Sequence, residues 1–97
     1  MPRIAWRRRA QADLRNAFLW LLDRNPSAAW RIYHAVRDHV VVLRGHPGLG
    51  RRGRVEGTRE LVVTHTPYVV VYTVQSSGDI VILRILHGAQ RWPEQLD

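Results

Sequence analysis

GTRELVVTHTPYVVVYTV (residues 57–74) decides the fold. Two β-branched runs, Leu61 to Val63 and Val69 to Val74, flank a turn at Thr64 to Pro67. That pattern predicts two antiparallel strands, Thr58–Thr64 and Tyr68–Gln75. A third strand, Ile80–His87, follows after the tight turn Ser76 to Asp79. Arg59 and Glu60 stand at the head of the first run, where a buried strand begins. Leu61 and Val63 anchor that strand in the core, so Arg59 is expected to be held rigidly at a sheet rim. A rigid arginine recognises a phosphate better than one on a mobile loop.

Upstream of these strands the apolar period changes from two to between three and four. Leu14, Ala17, Phe18, Leu21 and Leu22 form the stripe of one amphipathic helix, ending near Asp23 to Asn25. Asn25-Pro26 supplies a cap followed by proline at the first helical position, which starts a second helix. Its buried face is expected to be Ala29, Ile32, Val36, Val40 and Leu43, and it stops at Gly45. So short a connection makes the pair an antiparallel hairpin. Arg3 to Trp6 reads as a short strand, and GHPGLGRRGR (45–54) as a loop.

The expected class is therefore α+β: a short N-terminal strand, then an antiparallel two-helix hairpin packed on a twisted antiparallel sheet. The 97 residues are expected to form one domain. Its parts are a hairpin at about 8–45, a sheet at about 54–87 and a tail at 88–97. In Ile80–His87 both alternate sets are largely apolar, namely Ile80, Ile82, Arg84, Leu86 and Val81, Leu83, Ile85, His87. A half-solvated strand would alternate cleanly, so the second sheet face is expected to be covered by the tail or by another chain. Trp6, Trp20 and Trp30 read as core residues, and Trp92 as the one exposed aromatic.

Charge narrows the function. Fifteen basic residues against eight acidic give +7, and every basic residue is arginine. A small domain this basic meets polyanions or acidic partners. Arginine clamps phosphate but does not titrate as a base. Proton transfer would fall to the histidines at 34, 39, 46, 65 and 87, to a carboxylate or to a tyrosine. With no cysteine there is no disulfide or thiolate zinc site, and no histidine pair has metal spacing. Neither a metal nor a cofactor is expected. No secretory signal or membrane span is read, so a cytoplasmic protein that does not engage membranes is expected.

The remaining constellation is basic. Arg51, Arg52 and Arg54 cluster before the sheet, Arg59 opens the first long strand, and Arg84 and His87 lie on the last. Arg91 and Trp92 mark the tail. His39, beside the apolar stripe of the second helix, reads as structural.

Four stretches, AQADLRNAFLWLLDRNPSAA, HPGLGRRGR, GTRELVVTHTPYVVVYTV and VILRILHGAQRWP, together resemble the RelE/ParE family of bacterial toxins, over nearly the whole chain. The resemblance implies the toxin half of a type II toxin–antitoxin module, acting in plasmid stabilisation and growth arrest. It also implies a small cognate antitoxin with an acidic segment. One branch of the family poisons DNA gyrase and has no known hydrolytic site. The other cleaves messenger RNA on the ribosome, and there Arg59 would contact the scissile phosphate and His87 would be catalytic. Under either branch Arg51, Arg52, Arg54, Arg84, Arg91 and Trp92 are the expected nucleic-acid or target contacts. The chain lacks the lysines that nuclease members carry before the sheet, and Gly88 rather than tyrosine follows His87. No carboxylate matches a general base, although Glu56 and Glu60 are near in sequence. The ending HGAQRWP favours the gyrase branch, with the endonuclease as the alternative and a non-toxic basic binding module as the reading outside toxins.

Overall fold

A computed structural model describes residues 2–96, and the elements follow the hydrophobic period closely. Strand β1 spans Ile4–Trp6, helix α1 Arg8–Arg24 and helix α2 Pro26–Val42; strands β2 (Arg51–Arg52), β3 (Arg59–Val62), β4 (Tyr68–Val74) and β5 (Ile80–His87) complete the chain. The capping signal works as expected. The Asn25 carboxamide oxygen accepts from the Ala28 N–H at 3.2 Å, and Pro26 occupies the first turn, where its missing N–H costs nothing. Ala29, Ile32, Val36, Val40 and Leu43 are all buried.

The sheet order is β1-β5-β4-β3-β2. All pairings are antiparallel except that of β1 with β5, which is parallel, with Ile4 opposite Ile80 and Trp6 opposite Ile82. The sheet is therefore mixed rather than wholly antiparallel, because the chain returns to the N-terminal strand after the helix hairpin and three further strands. It also begins earlier than residue 54. Arg51 and Arg52, expected in a loop, pair with Glu60 and Arg59 as a two-residue edge strand. The turn to β5 needs a residue in the left-handed region, supplied by Gly78 at φ 92°.

Both helices lie on one sheet face. Ala10 and Leu14 of α1 and the buried stripe of α2 meet Leu61, Val63, Val70, Tyr72, Ile80, Ile82 and Ile85. His39 links this layer to the end of β3: its Nδ1–H donates to the Ala35 carbonyl at 2.7 Å, and its Nε2 accepts from the Thr64 N–H at 3.2 Å. The histidine is structural, as its position implied.

A bulge in β5 changes which residues share a face. Val71 faces Arg84 while Tyr72 faces Ile82, so Leu83 is an extra residue on β5. Alternation skips a step there, and the faces become Ile80, Ile82, Ile85 on the helix side and Val81, Leu83, Leu86 on the other. The alternating sets read from sequence are corrected accordingly. Asp13 of α1 stabilises the irregularity. Its carboxylate accepts from the Ile85 backbone N–H at 2.9 Å, and from Arg84 Nε at 2.7 Å and Nη2 at 3.0 Å.

The second face carries its own small core of Val71, Leu83, Leu86 and Leu96, with Val81 and Trp92 packed against it. The tail thus packs on that face, as one of the two covers expected. Three of the tryptophan expectations need correcting. Trp20 and Trp30 are 56% and 51% exposed: Trp20 borders a cleft with Tyr68 and His87, and Trp30 packs edge-on against Phe18. Trp92 is half-buried rather than free, since the second core recruits its ring.

Candidate functional site

The arginine cluster is built by one buried carboxylate. Glu60 points to the second sheet face, and its side chain is only 2% exposed. It accepts from Arg51 Nη2 at 3.1 Å and from the Arg54 backbone N–H at 2.9 Å, with Arg54 Nε at 3.5 Å. A carboxylate removed from water this completely must be paired, and the two arginines supply the compensating charge. Glu60 therefore sets the shape of the β2–β3 turn. The turn closes with the Gly53 N–H donating to the Thr58 carbonyl at 2.8 Å. A Cβ on Gly53 would collide with the Thr58 hydroxyl, so this glycine allows a close approach rather than a floppy loop.

Arg59 is fixed from the other side of the strand. Its Nη1 donates to the Gly50 carbonyl at 2.8 Å. The Gly50 N–H donates to the Tyr72 hydroxyl at 2.8 Å, and that hydroxyl donates to the Pro47 carbonyl at 2.7 Å. Burial raises the Tyr72 pKa above the usual tyrosine value, against the opposing pull of the Gly50 N–H and the Arg59 charge. Tyr72 is thus a neutral pin that holds the 47–50 segment under the arginine.

Arg52, Arg54 and Arg59 line one open concavity of about 820 Å³ at this end of the sheet, with Glu56 as the carboxylate in its wall. Among the described residues Arg52 makes no ion pair or side-chain hydrogen bond. Arg54 lies with its guanidinium carbon 3.5 Å from the centroid of the Trp92 ring. The arrangement can hold an anion at several guanidinium groups without any proton transfer.

His87 lies elsewhere. Its ring meets Tyr68 edge-on at 5.5 Å, and its Nδ1 accepts from the Ala89 N–H at 3.1 Å, which leaves the ring proton on Nε2. It opens on a cleft of about 290 Å³ with Asp13, Trp20, Tyr68 and Gln90. Burial raises the Tyr68 pKa. Arg59 is opposite Tyr72 and His87 opposite Tyr68 on the shared strand β4. Four residues of rise and two strand spacings put their Cα atoms on the order of 16 Å apart. Leu61, Val70 and Ile85 fill the core side between them. The two side chains line separate openings, Arg59 the concavity beside Gly50 and His87 the cleft beside Asp13.

The other expected contacts divide. Arg84 is engaged with Asp13, both side chains being mostly buried, and their hydrogen bond raises the guanidinium pKa. Arg91 is exposed in the tail. Trp92 donates its Nε1–H to the His87 carbonyl at 3.2 Å and supports Arg54, so it stands behind the arginine face. Glu60, Tyr72 and Asp13 organise the arginines and were not singled out from sequence as doing so. The one available signal was a glutamate within an apolar strand, which demands a cationic partner.

Comparison with known proteins places the chain among bacterial toxins. The family model for the ParE toxin of the type II toxin–antitoxin system parDE matches residues 4–92. Y4kP of Sinorhizobium fredii, a provisionally assigned toxin, is 36% identical over 97% of this chain and 96% of its own. Toxin RelE3 of Caulobacter vibrioides is 39% identical over 86% of this chain and 90% of its own. Among solved structures, a chain of the chromosomal ParDE system from P. aeruginosa superposes with a TM-score of 0.80 at 28% identity, covering 90% of this chain and 96% of that one. A chain of the RelBE2 toxin–antitoxin complex of Mycobacterium tuberculosis superposes with a TM-score of 0.64 at 25% identity, covering 90% and 99%.

Proposed function

The chain belongs to the RelE/ParE superfamily and is the toxin of a type II toxin–antitoxin system; from that premise we propose that it arrests growth by binding DNA gyrase, not by cutting RNA. The observation that carries this reading is the separation of Arg59 from His87 by a packed core, with Arg59 tied to Gly50. A nuclease must bring a charge-stabilising group and a proton-transfer group to the same phosphate within hydrogen-bond reach. The absence of lysine and the glycine after His87 point the same way. The endonuclease remains the second reading, because RelE3 and the RelBE2 complex are among the relatives.

The partner is a cognate antitoxin, in keeping with the toxin–antitoxin pairs among the neighbours. Leu19, Trp20, Trp30 and Val41 are each more than half exposed on the two helices, which offers that partner apolar contacts. Arg15, Arg24, Arg31 and Arg37 are exposed on the same helices and suit an acidic segment.

The test uses the purified chain in two assays. Incubated with gyrase, plasmid and ATP, it is expected to yield protein-linked DNA breaks. Incubated with programmed ribosomes, it is expected to leave the message intact. Message cleavage without gyrase-linked breaks would reverse the assignment.

A further inference from the structure

We infer that the concavity at the β2–β3 end is a phosphate-class anion site, and that Trp92 is a positioning residue for it. Arg54 is held at three points. Its backbone N–H and its Nε face Glu60, and its flat face lies over the Trp92 ring. Its two terminal amino groups have no partner among the described residues. A guanidinium binds an aromatic ring through its face and an anion through its N–H edge, so the two contacts do not compete. The indole thus removes in advance much of the freedom that a long side chain would lose on gripping an anion.

The lining favours phosphate over a protein surface. Arg52, Arg54 and Arg59 outnumber the single Glu56, and Val74 is the one large apolar side chain in the wall. Several guanidinium groups around so polar a wall match the clustered oxygens of a phosphate. Trp92 is itself secured by its Nε1–H on the His87 carbonyl and by the second core, which Leu96 completes. The tail therefore reaches the anion site through one stacked pair. Coupling of this kind is reciprocal: what Trp92 adds to anion affinity, the anion adds to tail docking. The inference stands apart from the gyrase reading, which rests on the separation of Arg59 from His87.

The test measures binding of a short fluorescein-labelled oligodeoxythymidylate to the full chain at low salt. Trp92→Leu keeps apolar bulk but loses the ring face, and is expected to weaken binding about threefold to tenfold. Trp92→Phe is expected to weaken it less, and Trp92→Leu to add nothing in an Arg54→Gln background. Inorganic pyrophosphate should compete, and saturating oligonucleotide should slow amide exchange in the tail, but not in Arg54→Gln. Unchanged affinity in Trp92→Leu, multiplicative effects of the two substitutions, or unchanged tail exchange would overturn the inference. So would competition by an acidic peptide alone. If Trp92→Leu fails to fold, Trp92→Phe and the exchange measurement decide. Absence of oligonucleotide binding also overturns it, and leaves the gyrase reading standing, because that is read by DNA breaks.

Discussion

Replacing Asp13 by alanine should be among the most damaging single changes outside the apolar core. The carboxylate accepts three hydrogen bonds, two from Arg84 and one from the Ile85 N–H at the β5 bulge. Side-chain exposures of 14% for Arg84 and 16% for Asp13 leave little water to replace them. Breaking a buried pair by removing one partner costs about 3–5 kcal/mol, partly because the other charge is stranded. An unsatisfied backbone N–H alone costs about 1–3 kcal/mol, and the two penalties overlap. Since the pair retains some exposure, a loss of about 3 kcal/mol is expected, against a total stability of roughly 5–15 kcal/mol. With a urea slope of about 1.5 kcal/mol/M, the unfolding midpoint should fall by about 2 M at unchanged slope. The double replacement Asp13→Leu with Arg84→Met should recover more than half of the loss, since apolar groups of similar volume strand no charge. A loss below about 1 kcal/mol in Asp13→Ala would refute the claim that this pair secures the bulge.

Four further outcomes follow from the same geometry. Tyr72→Phe removes one hydroxyl that joins the Gly50 N–H to the Pro47 carbonyl, and should cost about 1–2 kcal/mol in denaturant titration. Because burial raises the pKa of Tyr68 and Tyr72 above 10.0 in the folded state, the stability they contribute is fully present below that value. It is lost as the pH rises through the folded pKa, and Tyr72→Phe should flatten the alkaline slope measured by chemical denaturation. Gly53→Ala forces its new methyl group onto the Thr58 hydroxyl, and should destabilise by about 1–3 kcal/mol, whereas Gly48→Ala, with open space around it, should be close to neutral when the two melting curves are compared. The free toxin, with Trp20 and Trp30 more than half exposed, should precipitate at lower concentration than its antitoxin complex; equal solubility in light scattering would count against the helix hairpin as the covered face.

The features legible in the sequence were those carried by local period and local chemistry. The buried stripe of α2 and its Asn25-Pro26 start depend on contacts within a few residues, and both stand as read. The parallel pairing of β1 with β5 depends on a contact between distant segments, which no local pattern encodes. The bulge at Leu83 was hidden because both faces of β5 are apolar, so a skipped step leaves no trace in composition. Arg51 and Arg52 were hidden as a strand because two residues have no period. The arginine site shows the same division. The cluster itself was evident as charge, but the burial of Glu60, which shapes it, arises only when β2 and the turn fold back over β3. Trp92 was read by its place in a short tail, whereas its environment is set by the far face of the sheet.

The central claim is that this toxin acts without a proton-transferring histidine. The most direct measurement is growth after induction of His87→Asn in cells lacking the antitoxin, beside the wild-type chain at matched protein level. The asparagine oxygen can take the place of Nδ1 in accepting from the Ala89 N–H, so the tail junction is kept while the titrating ring is lost. The account predicts growth arrest equal to that of the wild type, with gyrase-linked DNA breaks. Loss of arrest in His87→Asn, together with ribosome-dependent message cleavage that only the wild type performs, would contradict it.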